Sequence, residues 1–274
     1  MKSFSLTLVL SIFMTVLSFG QEKEKKNHIS LYLGPSYLVR QDVIFSPMVH
    51  RDMTFPAVGI EYSRTAKYFQ NISLQYAGFS PMVAEPFSFV FEGEEEMANP
   101  HYLTFIDLDY HFGKEKKLDE RSSFTYGGMF ATKVQVLNYV YGRIGSFGYF
   151  ASLGLGGFGQ YRHQLGEKGS VSARLQLPLF SWVARSPYLV NDDEFIDNIS
   201  SHSGVKTFLA FIGDGNLATW NKIQYFDFDL GYDYKLNQKW TLGANYWFEF
   251  IHFSKPSPLT SFRNSLQLQA TYSF

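Results

Sequence analysis

The 274-residue sequence has no cysteine. That excludes a disulfide framework, thiol chemistry, a thiolate metal site and the lipid-bearing cysteine of a lipoprotein. It has no surplus of charge either. Its 24 Lys and Arg stand against 25 Asp and Glu, a formal net charge of −1, so bulk charge suggests neither a nucleic acid nor an acidic membrane as partner. No apolar run approaches the roughly 20 residues of a spanning helix, and a mean hydropathy of −0.13 is too polar for a helical membrane protein. What abounds is aromatic residues and glycine: 28 Phe, 18 Tyr and 22 Gly. That mixture suits many short strands with aromatic girdles.

Met1 to Gly20 reads as a secretory signal, removed on export. Lys2 is its positive start, Leu6 to Leu17 its apolar core, and Ser18-Phe19-Gly20 precedes Gln21 with small residues at the cleavage positions. Residues 21–27 then form a charged leader, and residues 28–274 the exported domain.

Within that domain one pattern repeats: strand, short turn, strand, long loop. The predicted strands are 28–37, 56–64, 69–79, 101–112, 123–136, 147–162, 170–182, 219–236, 240–253 and 261–274. Long connections fall at 41–53, 81–100, 137–146, 187–216 and 254–259. The expected fold is all-β, an antiparallel transmembrane barrel of about ten strands, with twelve or eight as the alternative even counts. Val205–Ile212 decides between ten and twelve: with Val205, Leu209 and Ile212 on one face it is a short loop helix, and as a strand it would need a partner.

Parity tests the pattern. Asp107, Asp109 and His111 alternate with Ile106, Leu108, Tyr110 and Phe112. Asp227, Asp229 and Asp233 alternate with Phe226, Phe228, Leu230, Tyr232 and Tyr234, and Glu249 alternates with Phe248 and Phe250. A hairpin centred on Asn237 places Asp233 across from Thr241 and Asp229 across from Asn245. A one-residue slip would turn three aspartates toward lipid. Trp182, Trp220, Trp240 and Trp247 are expected near strand ends, at the membrane interface.

The last stretch carries the resemblance. Leu266, Leu268, Ala270, Tyr272 and Phe274 alternate with Ser265, Gln267, Gln269, Thr271 and Ser273. This resembles the closing strand of a bacterial outer-membrane β-barrel. The resemblance implies that Tyr272 and Phe274 form part of the signal read by the barrel-assembly machinery. It also implies an outer-membrane location, with short turns in the periplasm, long loops outside, and outer-membrane lipid and lipopolysaccharide as neighbours. The Ser-Phe-Gly-Gln junction looks like exported proteins of Bacteroidota-type bacteria.

The inward-facing ionisable residues are Glu61, Asp107, Asp109, His111, Lys133, Arg162, Arg174, Asp227, Asp229, Asp233 and Glu249, with His101 beside them. In a narrow barrel such charges must be paired or wet, so they read as an ion network that fills the lumen. Omptin proteases, ten-stranded barrels that activate water with carboxylates at the outer mouth, are one resemblance to weigh. Here the carboxylates lie too deep along their strands. Outer-membrane phospholipase A places a His, a Ser two residues on and a supporting Asn. Ser200, His202, Ser203 and Asn221 depart from that spacing, because neighbours on a strand face opposite sides. Gly154–Gly159 fits G-x-G-x-x-G but lies in a strand, where no helix follows to hold a pyrophosphate. Asp192, Asp193, Glu194 and Asp197 offer oxygen ligands for Ca²⁺ without EF-hand spacing. No cofactor is expected. The leading role is non-enzymatic: surface-loop binding, a narrow channel, or an accessory subunit of an envelope complex. The alternative is a hydrolase of lipid or lipopolysaccharide at the outer mouth.

Overall fold

The structure is a computed structural model that describes residues 26–82, 88–97, 101–141, 144–186 and 204–274. Its long strands are β1 (Lys26–Asp42), β2 (His50–Thr65), β3 (Phe69–Phe79), β6 (Tyr102–Lys117), β7 (Ser122–Tyr141), β8 (Ile144–Leu165), β9 (Gly169–Arg185), β11 (Ile223–Lys235), β12 (Trp240–Phe253) and β13 (Leu259–Ser273). Among the described residues, short strands β4 (Ser88–Phe91) and β5 (Glu94–Met97) pair only with each other, and β10 (Asn216–Thr219) adds to the loop end of β9. Each long strand pairs with its neighbour in sequence, and β13 closes on β1. The fold is the expected closed antiparallel barrel of ten strands.

Alternation sets what faces where. Leu31, Leu33, Ile60, Leu74, Leu108, Leu266 and Leu268 point outward and are exposed, whereas Lys133, Arg263, Asp227 and Glu249 point inward and are buried. A soluble protein distributes these residue types the other way round. Between β2 and β3, Val58, Ile60 and Tyr62 oppose Tyr76, Leu74 and Ile72.

The β11–β12 hairpin corrects the expected register by two residues. Asp233 faces Gly243 and Asp229 faces Trp247. The turn spans residues 236–239 and is centred one residue later than Asn237, because the Asn237 Oδ1 accepts the amides of Lys239 and Trp240, each at 2.9 Å. Parity survives a shift of two, so every side chain keeps its face. Asn237→Ala removes both bonds and is expected to cost about 1 kcal/mol, measured as a lower denaturant midpoint with unchanged slope.

Other boundaries also move. Residues 137–141 and 144–146, expected as loop, extend β7 and β8, because Leu137 and Tyr139 pack inside the barrel mouth. The predicted eighth strand, 219–236, is broken at 220–222 into β10 and β11. The 81–100 loop contains the β4–β5 hairpin, and Lys26 and Asn27 already belong to β1. The rest of the leader and the signal segment lie outside the described residues.

Gly204–Gly213 is the short helix, α1. Its Phe211 stacks on Tyr149 at 4.3 Å, and the Trp182 indole donates to the Ile212 carbonyl at 2.8 Å. Tyr149 and Trp182 alternate with inward Phe150 and Val183, so α1 lies against the outer wall. The glycine run sits inside β8 at a bulge. A Cβ on Gly156 would stand 2.0 Å from the Leu177 carbonyl oxygen, so the glycine serves strand packing.

Candidate functional site

The barrel interior has three layers. The loop-side layer is apolar: Leu38, Phe79, Leu103, Phe105, Leu137 and Tyr139 form one buried cluster, and Phe150, Ile223, Ile251, Phe253 and Leu259 belong to another. Phe45, from the β1–β2 loop, stacks on Tyr139 at 4.7 Å. A Cβ on Gly148 would stand 2.2 Å from the Phe45 ring, so only glycine admits it.

Polar groups cap this layer. Asp42 accepts from Arg40 at 2.9 Å and from Arg185 at 2.5 Å, and Arg40 also donates to Gln135 at 2.6 Å. His50, His101 and Tyr139 meet edge to face, at 5.0–5.5 Å. Burial holds the His101 ring below the ordinary histidine pKa.

The middle layer is the ion cluster. Lys133 Nζ donates to Glu249 at 2.7 Å and Asp227 at 3.0 Å, and lies 3.5 Å from Asp107. Arg263 reaches Asp107 and, at 3.1 Å, Glu249. These five side chains, from five different strands, are only 0–2% exposed. Aromatic faces complete the shell: Arg263 lies 4.4 Å from the Trp247 ring, and Lys133 lies 5.1 Å from both Trp247 and Tyr225.

The turn-side layer is polar and reaches solvent. Arg174 pairs with Asp229 at 3.2 Å and with Glu61 at 3.6 Å, and Arg162 pairs with Asp233 at 3.2 Å. His111 bridges Asn71 and Gln176, and Gln176 donates to Asp229 at 3.1 Å.

All eleven lumen residues anticipated from sequence therefore face inward. Asp107, Asp227, Glu249 and Lys133 meet in the middle layer, while Glu61, Asp109, His111, Arg162, Arg174, Asp229 and Asp233 line the turn-side one. Asp107 and Asp109 stand near the middle of their strand, because β6 runs on to Lys117.

Arg263 went unanticipated, although it continues the inward row of Ser265 and Gln267 by one step. Arg40, Asp42 and Arg185 were missed because they fall at strand ends. Trp247 is buried in the lumen and not at an interface. Its odd-numbered parity, shared with inward Glu249, was the available signal.

His202, Ser200, Ser203 and the acidic set Asp192, Asp193, Glu194 and Asp197 lie outside the described residues. Asn221 is exposed and accepts from Thr219 Oγ1 at 2.5 Å. Three histidines do meet hydroxyls: His28 with Ser273, His163 with Ser122 and His252 with Thr260, at 2.8–2.9 Å. Each pair joins direct cross-strand partners, a contact of sheet pairing. At Ser122 the nearby Asp119 carboxylate accepts the backbone amides of Arg121 and Ser122, which hold its pKa below the usual carboxylate range.

No family model and no curated protein matches the chain. Among solved structures it is similar to the outer membrane protease OmpT from Escherichia coli: TM-score 0.52, 6% identity, 94% of this chain and 99% of that one covered. The translocator domain of the autotransporter NalP from Neisseria meningitidis has TM-score 0.44 and 9% identity, over 99% of this chain and 96% of its own. Neisserial surface protein A has TM-score 0.37 and 7% identity, over 90% and 97%. Likeness at such identities concerns the fold alone, and that fold is the closed antiparallel β-barrel.

Proposed function

We propose that the mature chain is an integral outer-membrane barrel that does not conduct, and that it works through its loop-side face as a surface binder or an accessory subunit of an envelope assembly. The observation that carries this reading is the filled lumen. A buried ion cluster spans the middle, and an apolar core lies on its loop side. A conducting path needs a wet route past charges, and here the charges are spent on one another. The outward rows of leucine and aromatic residues meet lipid and the acyl chains of lipopolysaccharide. The β13 end, with Tyr272 and Phe274, is the segment the assembly machinery takes.

Planar-bilayer recording of the detergent-purified protein tests the proposal. The expected trace is flat at all voltages that the bilayer tolerates, with insertion confirmed by protease protection. Discrete conductance steps would retire the non-conducting reading. A chain that stays monomeric in buffer without detergent would retire the membrane reading altogether.

A further inference from the structure

We propose that the turn-side half of the lumen is a blind, acid-lined vestibule that binds a polyammonium ligand.

Solvent exposure of the inward carboxylates and guanidiniums falls in steps from the turn end, beside a fully buried His111. Arg162 and Asp233 are 46% and 16% exposed, Arg174 and Glu61 are 15% and 14%, and Asp229 is 8%. Asp109, next inward, is 5% exposed, and the Lys133 cluster beyond it is at 0–2%. The gradient describes a cup entered at the turn rim, with the ion cluster as its floor.

Charge in the cup is unbalanced. Four carboxylates, Glu61, Asp109, Asp229 and Asp233, face two guanidiniums. Arg174 is already shared between Glu61 and Asp229, and Arg162 is taken by Asp233. Among the described residues Asp109 is left without an ion pair.

A second observation points to the chemistry of the ligand. Among the described residues, the buried side-chain atoms of this half that lack a hydrogen-bond partner are Asp109 Oδ1, Gln160 Oε1 and Gln267 Oε1, all acceptors. Gln267 is itself 1% exposed. At the loop end the corresponding atoms are of both kinds, Arg40 Nε and Arg185 Nε together with the His50 ring nitrogens and the Ser261 hydroxyl. Buried acceptors without donors are costly, and an ammonium group supplies three donors and a positive charge together. Asp109, Gln160 and Gln267 stand on three separate strands, β6, β8 and β13. A ligand with several ammonium groups reaches them where a single small cation does not.

The proposal rests on the filled lumen described above, and calorimetry separates the two. Spermidine is titrated into the detergent-solubilised protein, with triethylene glycol as the neutral control. Saturable binding is expected for spermidine alone. Asp109→Asn, which keeps the shape and orphans no cation, is expected to weaken it at least tenfold. Arg162→Gln, which removes a competing cation at the rim, is expected to tighten it severalfold. No heat at millimolar spermidine, or binding indifferent to both substitutions, overturns the proposal and leaves the carboxylates to protons and water. Conductance steps together with intact spermidine binding would retire the seal and keep the site.

Discussion

Lys133→Met is expected to destabilise the barrel by about 3–5 kcal/mol, the range found when one partner of a buried ion pair is removed. Lys133 has three N–H donors and three carboxylates around it, Glu249, Asp227 and Asp107, within 2.7–3.5 Å. Methionine fills the volume and supplies none of those donors. Arg263 is then left alone to balance three carboxylates that water does not reach. Equilibrium unfolding in urea, read by tryptophan fluorescence, measures the loss. Trp247 is a suitable reporter, since its ring touches both cations.

The same site allows a sharper measurement. Lys133→Met combined with Glu249→Gln removes the lysine and its nearest carboxylate charge together. The double variant is expected to recover about 1–3 kcal/mol of the single variant's loss, the coupling typical of contacting charged groups. A loss below about 1 kcal/mol for Lys133→Met alone, with no recovery in the double variant, would mean that solvent screens the cluster. The lumen would then be wet at its middle, and the non-conducting reading would lose its basis.

The contrast between Lys133 and Arg263 shows how far the sequence could be read. Strand parity was legible because lipid and lumen demand opposite residue types at every second position, and that demand holds along the whole strand. So Lys133, Asp107 and Glu249 could be assigned to the interior without knowing their partners. Which of them touch was not legible, since it depends on the stagger between strands distant in sequence. The two-residue shift at the Asn237 turn shows the limit: parity is blind to even displacements, and a turn side chain fixed the register. Strand ends were harder still. Beyond the lipid the outward face no longer needs to be apolar, so Leu137 and Tyr139 gave no alternating pattern to extend. The loop-end trio Arg40, Asp42 and Arg185 looks in sequence like solvated charge, and only the three-dimensional closure of the mouth buries it.

That trio supports the second large effect, expected for Asp42→Ala. Asp42 is fully buried and accepts from two guanidiniums, Arg40 and Arg185. It also organises the loop that follows it. Its carbonyl accepts the amides of Phe45 and Ser46, at 3.0 and 2.8 Å, and its Oδ1 accepts the Ile44 amide at 3.3 Å. Arg185 in turn donates to the carbonyls of Lys255 and Ser257, at 2.9 and 2.6 Å. One carboxylate thus ties the ends of β1 and β9 to the β1–β2 and β12–β13 loops. Alanine leaves two buried cations facing each other, and the cost is again about 3–5 kcal/mol. The distinguishing readout is local. Limited proteolysis is expected to cut within residues 43–49 and 254–258 in the variant and to spare both in the parent. Conductance is expected to stay absent, because the Lys133 cluster lies deeper and shares no residue with the trio. Asp42→Asn keeps one acceptor oxygen and is expected to fall between the two. Unchanged cleavage in Asp42→Ala would show that the aromatic contact of Phe45 with Tyr139 holds the mouth by itself. New conductance would show that the seal lies at the loops and not in the middle of the barrel.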